Sequence, residues 1–198
     1  LQDKIDTSYG RNRKKTSIGM YKFDKLKWPL KYVVTKPHEN PFVPLNFTEP
    51  MAPHEILKAH PKGIEYGNIL KGLEEYPIFL DSANKVLSMP PIINSNDLGQ
   101  INENDNNVLV EVTGTDYNAV NNVLKIVSLS LADRGGKLFQ VQIDYPYRKI
   151  DNTPHLETRK MPLSVAKVNE LLGLKLDSKD IAKLLQKMRY GISSESEQ

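Results

Sequence analysis

Four side chains of this sequence fall where a small polar floor can form: Phe79, Ser88, Glu111 and Thr113. The run Val108 to Thr113 alternates, with Val108, Val110 and Val112 on one face and Leu109, Glu111 and Thr113 on the other, so one strand face carries a carboxylate and a hydroxyl. Upstream, Tyr76 to Asp81 and Lys85 to Met89 read as a hairpin turned by Ser82-Ala83-Asn84, and closing it over Ser82 to Lys85 sets Phe79 opposite Ser88. A carboxylate half-buried among valines can accept a hydrogen bond from a ligand hydroxyl. A site built that way rejects a ligand lacking the hydroxyl by roughly 10⁴ to 10⁵, because the carboxylate would be left unpaired. Plainer roles stay open. Glu111 also suits a rim carboxylate paired with a lysine, and Ser88 and Thr113 suit strand hydroxyls satisfied within a sheet.

Other chemistries find little support. His38, His54, His60 and His155 are too scattered for a HExxH or HxH metal site, and no serine sits in a GxSxG elbow. Neither GxxxxGK[ST] nor GxGxxG occurs, so the usual phosphate cradles are missing. With no cysteine there is no thiol nucleophile, thiolate metal site or disulfide framework, a composition that suits a reducing compartment.

The elements that must position the polar floor can be followed along the chain. Leu1 to Arg13 reads as a short helix broken at Gly10, Thr16 to Tyr21 as a strand with Ile18 and Met20 on one face, and Leu30 to Thr35 as another strand. A proline-rich loop leads to helices starting at Pro53 and at Pro61, the second reaching Glu74. Met89-Pro90-Pro91-Ile92-Ile93-Asn94 leaves the hairpin in a stiff direction that places Asn94, and Ser95 to Asn107 reads as a mobile loop. Asp116 caps the strongest helix, whose apolar face ends at Gly135-Gly136. A strand from Leu138 to Asp144 follows, so 108 to 144 suggests a parallel crossover unit. The helix N-terminus would lie beside Thr113, where N–H groups and the positive dipole end favour polar or anionic ligands. Lys149 to Pro162 reads as a linker, after which Ser164 caps a helix ended by Gly173 and Ser178 caps one ended by Gly191. The expected fold class is α+β: a mixed β-sheet core with flanking helices over 1–150, and a short C-terminal helical piece over 151–198.

At 198 residues, 39% hydrophobic and 26% charged, the chain suits one good core plus a small second unit, with no apolar run long enough for a membrane span and no signal peptide. The missing initial Met and the polar tail from Ser193 to Gln198 read as cut ends. Net charge is +3, but residues 1–36 carry +7 and the remainder −4. Arg11, Arg13, Lys14 and Lys15 cluster in that basic segment, as a solvated surface or as a face for phosphates. No RNA-recognition or helix-turn-helix signature is visible, so any nucleic-acid contact would position rather than read bases.

LSMPPIIN (Leu87 to Asn94), VEVTGTD (Val110 to Asp116), GRNRKKTSIGMY (Gly10 to Tyr21) and FVPLN (Phe42 to Asn46) together resemble the beta subunit of archaeal and eukaryotic-type phenylalanyl-tRNA synthetase, over nearly the whole chain. Residues 1 to about 150 resemble its editing domain, and MPLSVAKVNELLGLKL with the helix after it resembles the start of the next domain. The resemblance implies hydrolysis of tyrosine wrongly esterified to the phenylalanine tRNA. A synthetic pocket for phenylalanine excludes an added hydroxyl only weakly, and a second site that demands the hydroxyl supplies the missing selectivity. Ser88, Asn94, Glu111 and Thr113 match positions lining the family's editing groove, and hairpin pairing adds Phe79. Glu111 would read the tyrosine hydroxyl where archaeal members often carry Asp. A water held by Thr113, Asn94 and N–H groups near Gly114 would attack the ester, and Arg11, Arg13, Lys14 and Lys15 would meet the tRNA acceptor end. The resemblance further implies an alpha subunit in a heterotetramer, ATP and magnesium for the full enzyme but no cofactor in this fragment, a cytoplasmic location, and neither DNA nor membrane as partner. Two rivals remain: a non-catalytic tRNA-binding or subunit-assembly module, and a sensor of free amino acid.

Overall fold

A computed structural model describes residues 1–193, and the polar tail expected over 193–198 therefore lies, from 194 onward, outside the described residues. Two units are separated by their internal contacts, Leu1–His155 and Leu156–Gln198.

The first unit is layered, and side-chain alternation explains the layers. Strand β1 (Thr16–Lys22) pairs antiparallel with a late strand, Val108–Gly114, from Thr16 opposite Gly114 to Lys22 opposite Val108. Strands β2 (Lys31–Thr35), β3 (Tyr76–Leu80), β4 (Val86–Met89) and β5 (Ile93–Asn94) form an antiparallel sheet in that order. The Val108–Gly114 strand is β6. On one side of the four-stranded sheet, Ile78, Leu80, Val86 and Met89 bury against Ile56 of helix α2 (Pro53–Ala59) and Leu70 beyond helix α3 (Pro61–Tyr66). Between that sheet and the β1–β6 ribbon lie Tyr21, Leu26, Leu87, Leu98 and Leu109, with Phe79 against them. The ribbon's opposite face packs Ile18, Met20, Val110 and Val112 against Ile5 of α1 (Gln2–Thr7) and Val123 and Val127 of α5 (Tyr117–Ala132). Each fully buried aliphatic in these layers contributes roughly 1.5–3 kcal/mol. Period-two alternation thus sends the even-numbered valines of β6 to helices and Leu109 and Glu111 toward the sheet.

The α+β class holds, with a different strand pairing than expected. No crossover forms from 108 to 144: β6 pairs with β1, and β7 (Val141–Ile143) pairs antiparallel with β8 (Asp151–Thr153). Helix α5 is amphipathic and covers the ribbon with its apolar face instead of carrying the chain to a parallel neighbour. The Asp116 cap is present, Ala119 N–H donating to Oδ1 at 3.0 Å, and α5 ends three residues before Gly135, which adopts φ +93°. The hairpin has its expected register, Phe79 opposite Ser88, with an irregularity between Phe79 and Leu80. Short helix α4 (Asn96–Gly99) lies inside the segment expected to be a mobile loop, anchored by Leu98 in the core and capped by Ser95. The helix expected to run to Glu74 is α3 plus a 3-10 turn over Gly67–Leu70.

Strand β8 falls inside the expected linker, and contacts keep residues 151–155 with the first unit. The boundary expected at 150/151 therefore moves to 155/156, because Asp151 to Thr153 form a ladder with β7. In the second unit, α6 (Val165–Leu172) is capped by Ser164 and stopped by left-handed Gly173. Helix α7 (Ser178–Lys187) is capped by Asp177 rather than Ser178 and ends at Met188, short of Gly191.

Candidate functional site

A cavity of about 80 Å³ opens between the ribbon and the strands that follow the hairpin. Glu111 enters it from β6, Ser88 from β4, Asn94 from β5, Ser17 and Tyr21 from β1, and Arg13 from the turn after α1. The carboxylate and the serine are joined by one phenol. Tyr21 O–H donates to Glu111 Oε2 at 2.9 Å and lies 2.7 Å from Ser88 Oγ. Glu111 faces Gly19 across the ribbon, and a Cβ there would collide with the Tyr21 phenol oxygen and the Glu111 carboxylate. That glycine is what lets the two side chains share the space. Glu111 Oε1 is buried with no hydrogen-bond partner.

Burial pushes the Glu111 carboxyl up to about 7, with the negative charge of Asp6 adding to the rise, while the Tyr21 hydrogen bond and, more weakly, the nearby Thr113 hydroxyl oppose it. Thr113 favours the charged form without meeting the distance and angle of a hydrogen bond to Oε1. Burial, then the Glu111 charge, holds the Tyr21 phenol well above its ordinary value. The same two causes lift Tyr32 to about 12. Asp6 rises to about 6, burial outweighing the Arg13 guanidinium. The floor is thus a desolvated acidic spot in which the Tyr21 phenol donates to the carboxylate.

No protein-family model matches the chain. Individual proteins do. The phenylalanine–tRNA ligase beta subunit of Thermococcus kodakarensis is 40% identical over 196 residues, 99% of this chain and 34% of that protein. Those of Pyrococcus furiosus and Methanococcoides burtonii are both 41% identical, covering 100% and 98% of this chain and 35% of each relative. A crystal structure of an N-terminal fragment of the phenylalanyl-tRNA synthetase beta subunit from Pyrococcus horikoshii matches with a TM-score of 0.90 at 38% identity, over 94% of this chain and 53% of that one. The chain is homologous to phenylalanine–tRNA ligase beta subunits. It spans about a third of the length of the curated relatives it matches. No helix among its described residues is long and apolar enough to cross a membrane.

Within this beta-subunit homologue the expected site residues divide. Ser88, Asn94 and Glu111 line the cavity. Asn94 is aligned with Ser88 across β4–β5, and its amide donates to the Met20 carbonyl at 3.3 Å. Thr113, Gly114 and Phe79 do not line it. Thr113 lies opposite Ser17 toward the far end of the ribbon, two residues beyond Glu111. Gly114 admits a close approach of the Lys15 carbonyl that a Cβ would block. Phe79 is a wall behind the site, edge-on to Tyr21 at 5.8 Å and to Tyr32 at 6.3 Å.

The basic cluster divides as well. Arg11, Asn12 and Arg13 all take positive φ, a left-handed turn that aims Arg13 inward. Its Nη1 donates to the carbonyls of Pro91 at 3.1 Å and Ile92 at 2.9 Å, its Nε lies 3.5 Å from Asp6, and its guanidinium stacks 4.3 Å from the Tyr66 ring. Arg13 is therefore a tie inside the unit that also borders the cavity. Lys15 is paired with Asp116 at 3.2 Å, whereas Arg11 and Lys14 are exposed. Sequence reasoning missed Tyr21 and Gly19. The alternation Ser17, Gly19, Tyr21 on the face opposite Ile18 and Met20 was the available signal, since a glycine inside a strand often marks a close approach.

Proposed function

We propose that the first unit is a hydrolytic editing domain that releases tyrosine wrongly esterified to the phenylalanine tRNA, within a cytoplasmic synthetase that also contains an alpha subunit. The observation that carries this reading is the buried Glu111 carboxylate, one oxygen held by Tyr21 and the other without a partner, in a cavity shared with Ser88 and Asn94. An unpaired buried acceptor selects a ligand bearing a donor, and the phenol of tyrosine is the donor that phenylalanine lacks. An engineered apolar cavity of roughly 150 Å³ takes benzene. At about 80 Å³ this one must widen to admit a phenol.

No side chain here is assigned as nucleophile. A water oxygen attacks the ester carbonyl carbon, the bond to the ribose oxygen breaks, and that oxygen takes a proton from the attacking water to become a hydroxyl, leaving tyrosine with a free carboxyl group. The chain contributes orientation through Asn94 and selection through Glu111. Exposed Arg11 and Lys14 supply phosphate contacts to the acceptor end. ATP and magnesium serve the synthetic reaction of the whole enzyme and have no part in this step.

A specific observation favours a second reading. Of the pair expected to hold the water, Thr113 lies outside the cavity lining, as a module that binds tRNA without hydrolysis would permit. Incubating the chain with tyrosyl- and phenylalanyl-tRNA separates the readings. Selective release of tyrosine, lost in Glu111→Ala, is the outcome expected for editing. Binding without release supports the module, and affinity for free tyrosine alone supports a sensor.

A further inference from the structure

We propose that Tyr21 is a positioning residue of this site: its phenol holds Glu111 Oε2 and Ser88 Oγ together and so fixes the orientation of the carboxylate, leaving Oε1 as the oxygen without a donor. This rests on reading the cavity as a site for a ligand phenol. The argument begins with proton counting. A phenol has one proton, and Tyr21 gives it to Glu111 Oε2 at 2.9 Å, so the 2.7 Å contact with Ser88 must be filled by the serine proton. The three groups form a directed chain, Ser88 to Tyr21 to Glu111, ending on the carboxylate. Ser88 therefore supports the carboxylate through Tyr21, and its proton is not free for the ligand.

The phenol has little room to leave. Tyr21 is fully buried and its ring is packed against Phe79, Leu87, Leu98 and Leu109. A carboxylate without that donor could rotate and present either oxygen, and one buried oxygen would lose its partner. With it, only Oε1 stays unpartnered. The internal phenol already occupies Oε2, so Oε1 is the one carboxylate oxygen left without a donor.

The other ionisable or polar groups facing Glu111 do not replace Tyr21. Asp6 from α1 is an anion, Tyr32 from β2 feels the Glu111 charge only through space, Arg13 is tied to Pro91, Ile92 and Asp6, and Thr113 makes no hydrogen bond to Oε1. Removing only the Tyr21 oxygen should therefore change the carboxylate while leaving the ring packing in place.

The test uses the chain labelled with carbon-13 at glutamate side-chain carboxyls, the Glu111 resonance being assigned by its loss in Glu111→Gln. In Tyr21→Phe the titration midpoint of Glu111 should rise by about one pH unit, because a hydrogen bond favouring the charged form is gone. Ser88→Ala should move it in the same direction by less, and Tyr32→Phe should not raise it. An unchanged midpoint in both Tyr21→Phe and Ser88→Ala overturns the proposal. In the deacylation assay Tyr21→Phe should raise KM for tyrosyl-tRNA by about tenfold with kcat within about threefold, shrinking discrimination against phenylalanyl-tRNA. A parallel loss of kcat for both esters would speak against positioning. If the unsubstituted chain releases no tyrosine, the editing reading fails, and the titration still decides whether Tyr21 holds the carboxylate.

Discussion

Glu111 carries its functional promise and its energetic penalty in the same atoms. Its folded-state value of about 7 lies above the ordinary 4.5, so the folded chain binds this proton more tightly than the unfolded chain does. The sign follows: burial of Glu111 costs nothing below about pH 4.5, its cost grows as pH rises toward 7, and it is constant above that. The two values set an upper limit of about 3 kcal/mol on that cost. Glu111→Gln keeps the shape and removes the charge, so it should stabilise the chain at pH 8 relative to pH 5. Urea unfolding at the two pH values checks this, and an equal difference from the unsubstituted chain at both would show that the carboxylate is not desolvated as described. The same substitution should abolish preference for the tyrosyl ester. A gain in stability together with loss of selectivity would mark a residue kept for chemistry rather than for packing.

The turn after α1 and the Pro90 to Asn94 segment act as a pair of elements joined through Arg13. Replacing Arg13 by Ala leaves the Pro91 and Ile92 carbonyls without their donor and Asp6 buried without its cation. Breaking one side of such a buried pair costs about 3–5 kcal/mol. Because Asp6 then protonates more readily, the loss should be larger at pH 8 than at pH 5, and chemical unfolding reads both. Exposed Arg11 and Lys14 on the same turn behave differently. Neutralising both should leave stability within about 0.5 kcal/mol, as is usual for surface changes. The dependence of log K for tRNA on log salt should fall by about one to two units of slope. An unaltered slope would remove this turn from the RNA contact.

At the scale of the whole chain, the extent of the first unit is set by pairing, not by composition. Residues 151–155 look like linker, yet Asp151 to Thr153 form β8 on β7, and Asp151 accepts from Tyr117 O–H at 2.6 Å and pairs with His155 at 2.7 Å. A chain ending at 150 leaves β7 without its only partner among the described residues. Ending at 155 keeps it. The shorter chain should melt lower, by roughly 2–4 °C for each kcal/mol lost in a domain of this size. Equal melting temperatures would show that the β7–β8 ladder adds nothing to the unit.

Much of the site was legible in the sequence because its signals are local. Alternation over Val108 to Thr113 settled that Glu111 turns away from the valines, turn residues set Phe79 opposite Ser88, and Asp116 announced the start of α5. Tertiary structure alone decided what those faces meet. Period two says which side chains share a face but not which strand lies alongside, since that depends on contacts far apart in sequence. So the pairing of β6 with β1, across more than eighty intervening residues, brought in Tyr21 and Gly19, moved Thr113 out of the cavity lining and left no crossover. Arg13 illustrates the same limit for charge. A run of basic residues gives a net sign, but only the left-handed turn determines that one of them is spent on buried carbonyls while its neighbours stay in water.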